Sequence, residues 1–165
     1  MEFLPSLFAR PRRLLALISA ACAALLVFGL YLQHAIGLEP CPMCIVQRYL
    51  FVLVIVAAGV GAALRPPAAA RWSGAVLLVL ALAGAFVAAR QSWLQWFPPE
   101  LYACGRDLYG MIESFPLKRV IPMVFRGSGD CTVVDWTFLR LSIANWSFLT
   151  FAFVAALGTW LLRRR

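Results

Sequence analysis

Four stretches of about twenty residues, each nearly free of charge, dominate this chain and leave few folds open to it. They run from about Leu14 to Gln33, Ile45 to Leu64, Trp72 to Ala89 and Asn145 to Leu162. A helix needs about 20 mostly apolar residues to cross the hydrocarbon layer of a bilayer. None of the four contains an internal proline, Asp or Glu; the second carries Gln47 and Arg48 in its first turn. Of the 165 residues, 63% are hydrophobic and 13% charged, against about 25% charged in an ordinary soluble domain. That excludes a water-soluble globular enzyme, a disordered chain and a small secreted disulfide scaffold. The first stretch follows Arg10, Arg12 and Arg13 as a signal peptide would. It is longer than a signal h-region, however, and ends in Tyr31-Leu32-Gln33-His34, a poor cleavage site, so it reads as a retained span. The expected fold is all-α: one integral membrane domain over residues 1–165, an up-down four-helix bundle. Its connections are a short loop at about 34–44, a hairpin at Arg65 to Arg71 around Pro66-Pro67, and a long loop at about 90–144 between helices 3 and 4.

The net charge of +8 admits two explanations, a nucleic-acid partner or membrane topology. The arginines decide it. Arg10, Arg12 and Arg13 precede span one, Arg65 and Arg71 lie between spans two and three, and Arg163, Arg164 and Arg165 follow span four. With four spans, all eight share one side. Cytoplasmic loops carry the excess of Lys and Arg, so both termini are expected in the cytoplasm, with no nucleic-acid partner. Trp72 and Trp160 fall near that side; Trp93, Trp96, Trp136 and Trp146 fall near the other, as an interfacial aromatic belt does. Close helix contacts are expected at Gly59 to Ala63 and Ala81 to Ala89. The run Leu117 to Arg126 is apolar with basic punctuation, which suits either a short interfacial helix or an irregular loop.

Cysteine placement agrees with this topology. Cys22 is mid-span and reads as a small apolar filler. Cys41, Cys44, Cys104 and Cys131 all fall on the side opposite those eight arginines, where the long loop mixes basic and acidic residues, a compartment that permits disulfides. Cys41-Pro42-Met43-Cys44 is a C-x-x-C motif at the start of span two. Sulfurs at a helix N-terminus face unpaired N–H groups and the positive end of the dipole, which favours thiolate. Pro42 suits the first turn, where its missing N–H has no partner to lose. Arg48, four residues after Cys44, shares its helix face. It reads either as a snorkelling arginine or as a guanidinium that steadies the Cys44 thiolate and donates to a carbonyl of a lipid-soluble ligand. Cys104 and Cys131 read either as a structural disulfide of the long loop or as a second exchanging pair.

Several chemistries drop out. A four-cysteine zinc site lacks a second C-x-x-C knuckle, so no metal is expected. His34 is the only histidine, which excludes a bis-histidine haem bundle. There is no Gly-rich nucleotide motif, and no span carries the acidic residue that a small proton-coupled transporter needs. Thiol–disulfide exchange within the membrane remains, beside two alternatives: a structural or partner-binding four-span protein with inert disulfides, and a vitamin-K-reductase-like quinone/thiol enzyme, whose motif usually falls near the chain's end.

These features resemble the disulfide bond formation protein B (DsbB) family over nearly the whole chain. The resemblance rests on the four spans, on Cys41-Pro42-Met43-Cys44 followed by Arg48, on Pro98 before Cys104, and on the run Pro122 to Cys131 followed by Trp136. It implies an enzyme of the bacterial inner membrane, with its cysteines periplasmic. Such an enzyme re-oxidises a periplasmic thioredoxin-fold thiol oxidase and passes the electrons to a membrane quinone (ubiquinone or menaquinone). It further implies that Cys104 forms the mixed disulfide with that partner, that Cys131 pairs with Cys104 and exchanges with Cys41, and that Cys44 faces the quinone with Arg48 helping to bind it. Gln91 stands where some relatives carry histidine and Gln47 where relatives carry an acidic residue; neither is assigned a role.

Overall fold

The computed structural model describes residues 11–38, 40–64, 67–97, 131–134 and 136–163. Four helices make up most of it: α1 (Pro11–Ile36), α2 (Pro42–Ala63), α3 (Pro67–Trp96) and α4 (Ile143–Arg163). All four are long and apolar enough to cross a membrane. Each is longer than the apolar stretch that announced it, α3 most clearly, from Pro67 rather than Trp72 and to Trp96 rather than Ala89. Hydropathy marks only the part at hydrocarbon depth. Arg90, Gln91, Ser92 and Gln95 are polar but helix-compatible, and the hydrogen-bond ladder runs on through them.

The connections between helices follow from local chemistry. α1 stops at Gly37, whose φ of +75° is the left-handed conformation that ends many helices and that glycine adopts without a Cβ clash. α2 stops at Leu64, which turns extended, its N–H donating to Val60 O at 3.0 Å. Helix resumes at Pro67, so Arg71 lies inside α3, not in a loop as the sequence reading had it. Within the predicted long loop, a two-stranded antiparallel hairpin precedes α4: β1 (Thr137–Phe138) pairs with β2 (Leu141–Ser142), in register Thr137 with Ser142 and Phe138 with Leu141. Leu139 and Arg140 both have positive φ, 53° and 64°, as a two-residue type I′ turn demands. The hairpin is held to α4 by Trp146 Nε1, which donates to Phe138 O at 3.1 Å. The possible interfacial helix at 117–126 lies outside the described residues.

Neighbouring helices run antiparallel. Arg12 Nε donates to Ala62 O at 2.9 Å, tying the start of α1 to the end of α2, and Ser19 Oγ donates to Ile55 O at 3.0 Å two turns further in. The helix starts at Arg12, Arg13 and Arg71 and the helix end at Arg163 therefore share one end of the bundle, and Cys41 and Cys44 lie at the other. The centre is filled by Leu15, Val54, Leu77 and Leu161 around Phe51 and Phe151, whose rings stack with centroids 4.3 Å apart. Large apolar side chains also cover the outside. Val79 is 67% exposed and Phe86 72%, an apolar coat that suits lipid and not water.

α3 and α4 make the most extensive helix pair because small residues let their backbones meet. A Cβ on Gly158 would lie 2.9 Å from Gly74 O and 3.1 Å from Leu78 N, and one on Gly84 would lie 2.5 Å from the Phe151 ring. α2 and α3 meet the same way where Gly61 faces Ser73. Gly61 and Gly84 fall within the two small-residue stretches picked out in the sequence; Gly74 and Gly158 do not. Gly158→Ala is expected to cost about 1–3 kcal/mol through overpacking. Gly59→Ala, whose Cβ would meet only Ser19 Oγ at 3.5 Å, should cost nothing or stabilise slightly through helix propensity. Unfolding of both variants in detergent checks the contrast.

Candidate functional site

The site is assembled at the N-terminus of α2. Cys41 is its N-cap, with φ −74° and ψ 161°, and Pro42 takes the first helical position. The Cys41 Sγ accepts from the Cys44 N–H at 3.3 Å, doing with sulfur what a capping Ser or Asp does with oxygen. This folds the motif back on itself and leaves the Cys41 and Cys44 sulfurs 2.8 Å apart. A third cysteine joins them. Cys131 is buried against Cys41 and Met43 and hydrogen-bonded to Cys41. That bond, then the one to Cys44, then burial, push the Cys41 thiol well above its ordinary range.

Side chains from two other helices close around the sulfurs. From α3, Gln91 Nε2 donates to Cys44 Sγ at 3.1 Å and to Cys41 Sγ at 3.3 Å. Its Oε1 accepts from Gln47 Nε2 at 2.6 Å, and both glutamines are buried. From α1, Gln33 Oε1 accepts from Arg48 Nη1, which draws the half-buried guanidinium toward α1. The hairpin seals another side: Ser142 Oγ donates to Gln95 Oε1 at 2.6 Å and accepts from Asn145 N at 3.4 Å as the cap of α4. Trp136 packs edge-on against Phe28, ring centroids 5.8 Å apart.

Between these groups lies a cavity of about 120 Å³. Leu25, Leu26, Gly29, Leu32, Phe51 and Trp136 give it apolar walls, and Cys44, Arg48, Gln33, Gln47 and Gln91 supply the polar side. Its size is of the order of the ~150 Å³ apolar cavity that takes up benzene, and a few convergent polar groups in an apolar cleft are what a small-molecule site needs. Arg48 carries five N–H donors, and Gln33 engages one of them.

Of the residues singled out in the sequence, Cys41, Cys44, Arg48 and Cys131 are brought together here. Cys104, like Pro98, lies outside the described residues. Cys22 is buried in the apolar core, 2% exposed, as a filler would be. Among the described residues no cluster of His, Cys, Asp or Glu is arranged to hold a metal ion. Gln47 and Gln91, to which the sequence reading assigns no role, lie at the centre of the site, and Gln33 and Gln95, which it does not single out, join them. A signal for them existed: a primary amide at the end of an apolar helix is expensive to bury without a partner, and four such amides on three helices point toward one place.

A four-helix membrane bundle with a dithiol capping one helix, and a third thiol packed against it, belongs to the class of membrane proteins built for thiol–disulfide chemistry. The family model for "Disulfide bond formation protein DsbB" matches residues 11–161. A disulfide bond formation protein B from a Polaromonas species is 63% identical over 98% of this chain and 96% of its own length. The protein of that name from Polaromonas naphthalenivorans is 62% identical over 93% and 92%, and that from an Azoarcus species 58% identical over 92% of each. The chain belongs to the DsbB family: it is an integral membrane protein and a disulfide-forming oxidoreductase.

Two outcomes follow from the sulfur geometry. In a Cys44→Ala, Cys104→Ala variant, mild oxidation should join Cys41 to Cys131, detected by peptide mapping without reduction. In the fully reduced protein, Cys41 should remain protonated through neutral pH, since its raised pKa delays thiolate formation. Its alkylation, followed by mass spectrometry, should still be climbing above about pH 9, past the ordinary thiol pKa near 8.5.

Proposed function

We propose that this protein re-oxidises a periplasmic thioredoxin-fold thiol oxidase by disulfide exchange and delivers the two electrons to a membrane quinone, ubiquinone or menaquinone. The observation that carries this reading is that Cys41, Cys44 and Arg48 line one apolar cavity while Cys41 also packs against Cys131. The dithiol thus meets both a third thiol, Cys131, and a space suited to a lipid-soluble ring.

The exchange runs in balanced steps. A partner thiolate attacks Cys104 in a Cys104–Cys131 disulfide and frees Cys131. Cys131 then attacks Cys41 in the Cys41–Cys44 disulfide, to which the structure holds it adjacent, and the Cys44 thiolate leaves on the cavity side. The partner's second thiolate displaces Cys104, completing the partner's disulfide. Cys104 displaces Cys41 from Cys131, leaving the Cys41/Cys44 dithiol. When bound, a quinone supplies the sink, taking up two electrons and two protons. The chain's own residues fit that group: Arg48 offers N–H donors to a carbonyl oxygen, Gln33 holds the guanidinium in place, and the α1 leucines with Phe51 exclude water from the Cys44 side. Such a sink is needed because partner oxidases of this kind have potentials near −120 mV.

The arginines support the orientation. Arg12, Arg13, Arg71 and Arg163 cluster at the end opposite the cysteines, so the positive-inside rule puts both termini in the cytoplasm and the site at the periplasmic surface of the inner membrane. Purified protein with quinone should turn over a reduced thioredoxin-fold dithiol partner. Cys44→Ser and Cys104→Ser should each abolish turnover. Arg48→Leu should raise the KM for quinone about 10- to 100-fold, the worth of a charged hydrogen bond. Full turnover in both cysteine variants, or a Cys41–Cys44 disulfide indifferent to quinone and mild reductant, would show inert disulfides instead.

A further inference from the structure

The geometry points to Gln91 as the residue that sets the redox poise of the Cys41/Cys44 pair, with Gln47 as the positioning residue that keeps it in its donating orientation. This rests on the reading that the pair cycles between dithiol and disulfide.

A carboxamide has one accepting end and one donating end. At Gln91 the accepting end is occupied, because Oε1 takes the Gln47 Nε2–H at 2.6 Å. The donating end is thereby turned to the sulfurs, 3.1 Å from Cys44 and 3.3 Å from Cys41. Both glutamines are 3% exposed, so water does not compete for these bonds. The two side chains come from different helices, and the hydrogen bond between them fixes the amide relative to the motif.

Such a donor does not treat the two redox states alike. An N–H bonds a thiolate much more strongly than a neutral sulfur, since hydrogen bonds to charged acceptors are roughly twice as strong. A disulfide sulfur carries no charge and gains least. Gln91 therefore stabilises the reduced pair over the disulfide and makes the disulfide a stronger oxidant. An oxidase whose reduced form is stabilised has a high potential for the same reason. In the forward exchange, the sulfur released from the Cys41–Cys44 disulfide is received by an N–H already in place. No described residue lining the cavity is a carboxylate or an imidazole, and Gln91 supplies the side-chain N–H that both sulfurs accept.

The test uses the full chain in detergent with Cys104→Ser and Cys131→Ser, so that Cys41 and Cys44 pair with each other. The pair is equilibrated against thiol–disulfide buffers, trapped with a maleimide and quantified by mass. Gln91→Leu should shift the equilibrium about tenfold toward the disulfide, which for this two-electron couple is a potential lower by about 30 mV. Gln47→Leu should shift it in the same direction by less. Gln91→His, which keeps a ring N–H, should restore most of the parent value. Thermal unfolding of each variant is measured alongside, a readout that a purely structural role would move without moving the equilibrium. A shift under threefold in a folded Gln91→Leu protein, with the parent pair still cycling, overturns this inference and leaves the proposed function standing. Should Gln91→Leu fail to fold, Gln47→Leu decides, and an unchanged equilibrium there overturns it equally. A parent pair that forms no disulfide in any buffer overturns both.

Discussion

A bilayer has no water to satisfy a free N–H or C=O, and almost everything in this molecule follows from that. Each crossing segment must bond its own backbone, so it is a helix. Lipid gives helices no hydrophobic reason to associate, so they hold together where their surfaces fit closely. Here that fit is Gly74 on Gly158, Gly84 under the Phe151 ring and Gly61 against Ser73. These contacts bring the helix ends at Cys41, Gln91 and Ser142 into one neighbourhood.

The same shortage of water gives the site its character. Primary amides at the membrane's edge must find partners within the protein, and they find each other, the sulfurs and the guanidinium. Gln47 bonds Gln91, Gln91 bonds Cys41 and Cys44, Gln33 bonds Arg48, and Gln95 bonds Ser142. Each is worth more there than in water, because a broken bond would leave a buried polar group unmet. The result is a dithiol whose surroundings are fixed on three sides by helices and on the fourth by the segment after Cys131.

The bundle was legible in the sequence because apolar length is a one-dimensional property. Counting residues found the four spans, and their order with short links made neighbours antiparallel. The helix ends were less legible. Hydropathy falls off at Ala89 while the hydrogen-bond ladder runs on to Trp96, and nothing in Leu139-Arg140 announces a turn with two positive φ angles. C-x-x-C with Arg48 was visible because residues three and four apart share a helix face. That Cys131 packs on Cys41 was not visible from spacing, and came only as an implication of the family resemblance.

The sequence by itself determined that the chain crosses a membrane four times, that eight of its arginines flank one side, and that a cysteine pair stands at a helix N-terminus. Those follow from composition, charge placement and local geometry. Tertiary structure alone decided what the cysteines face. Gln33, Gln91 and Cys131 lie 15 residues from Arg48, 44 from Gln47 and 90 from Cys41 along the chain. They meet because glycine contacts, two capped helix ends and a short hairpin set the relative height of the helices, and no local pattern encodes that height.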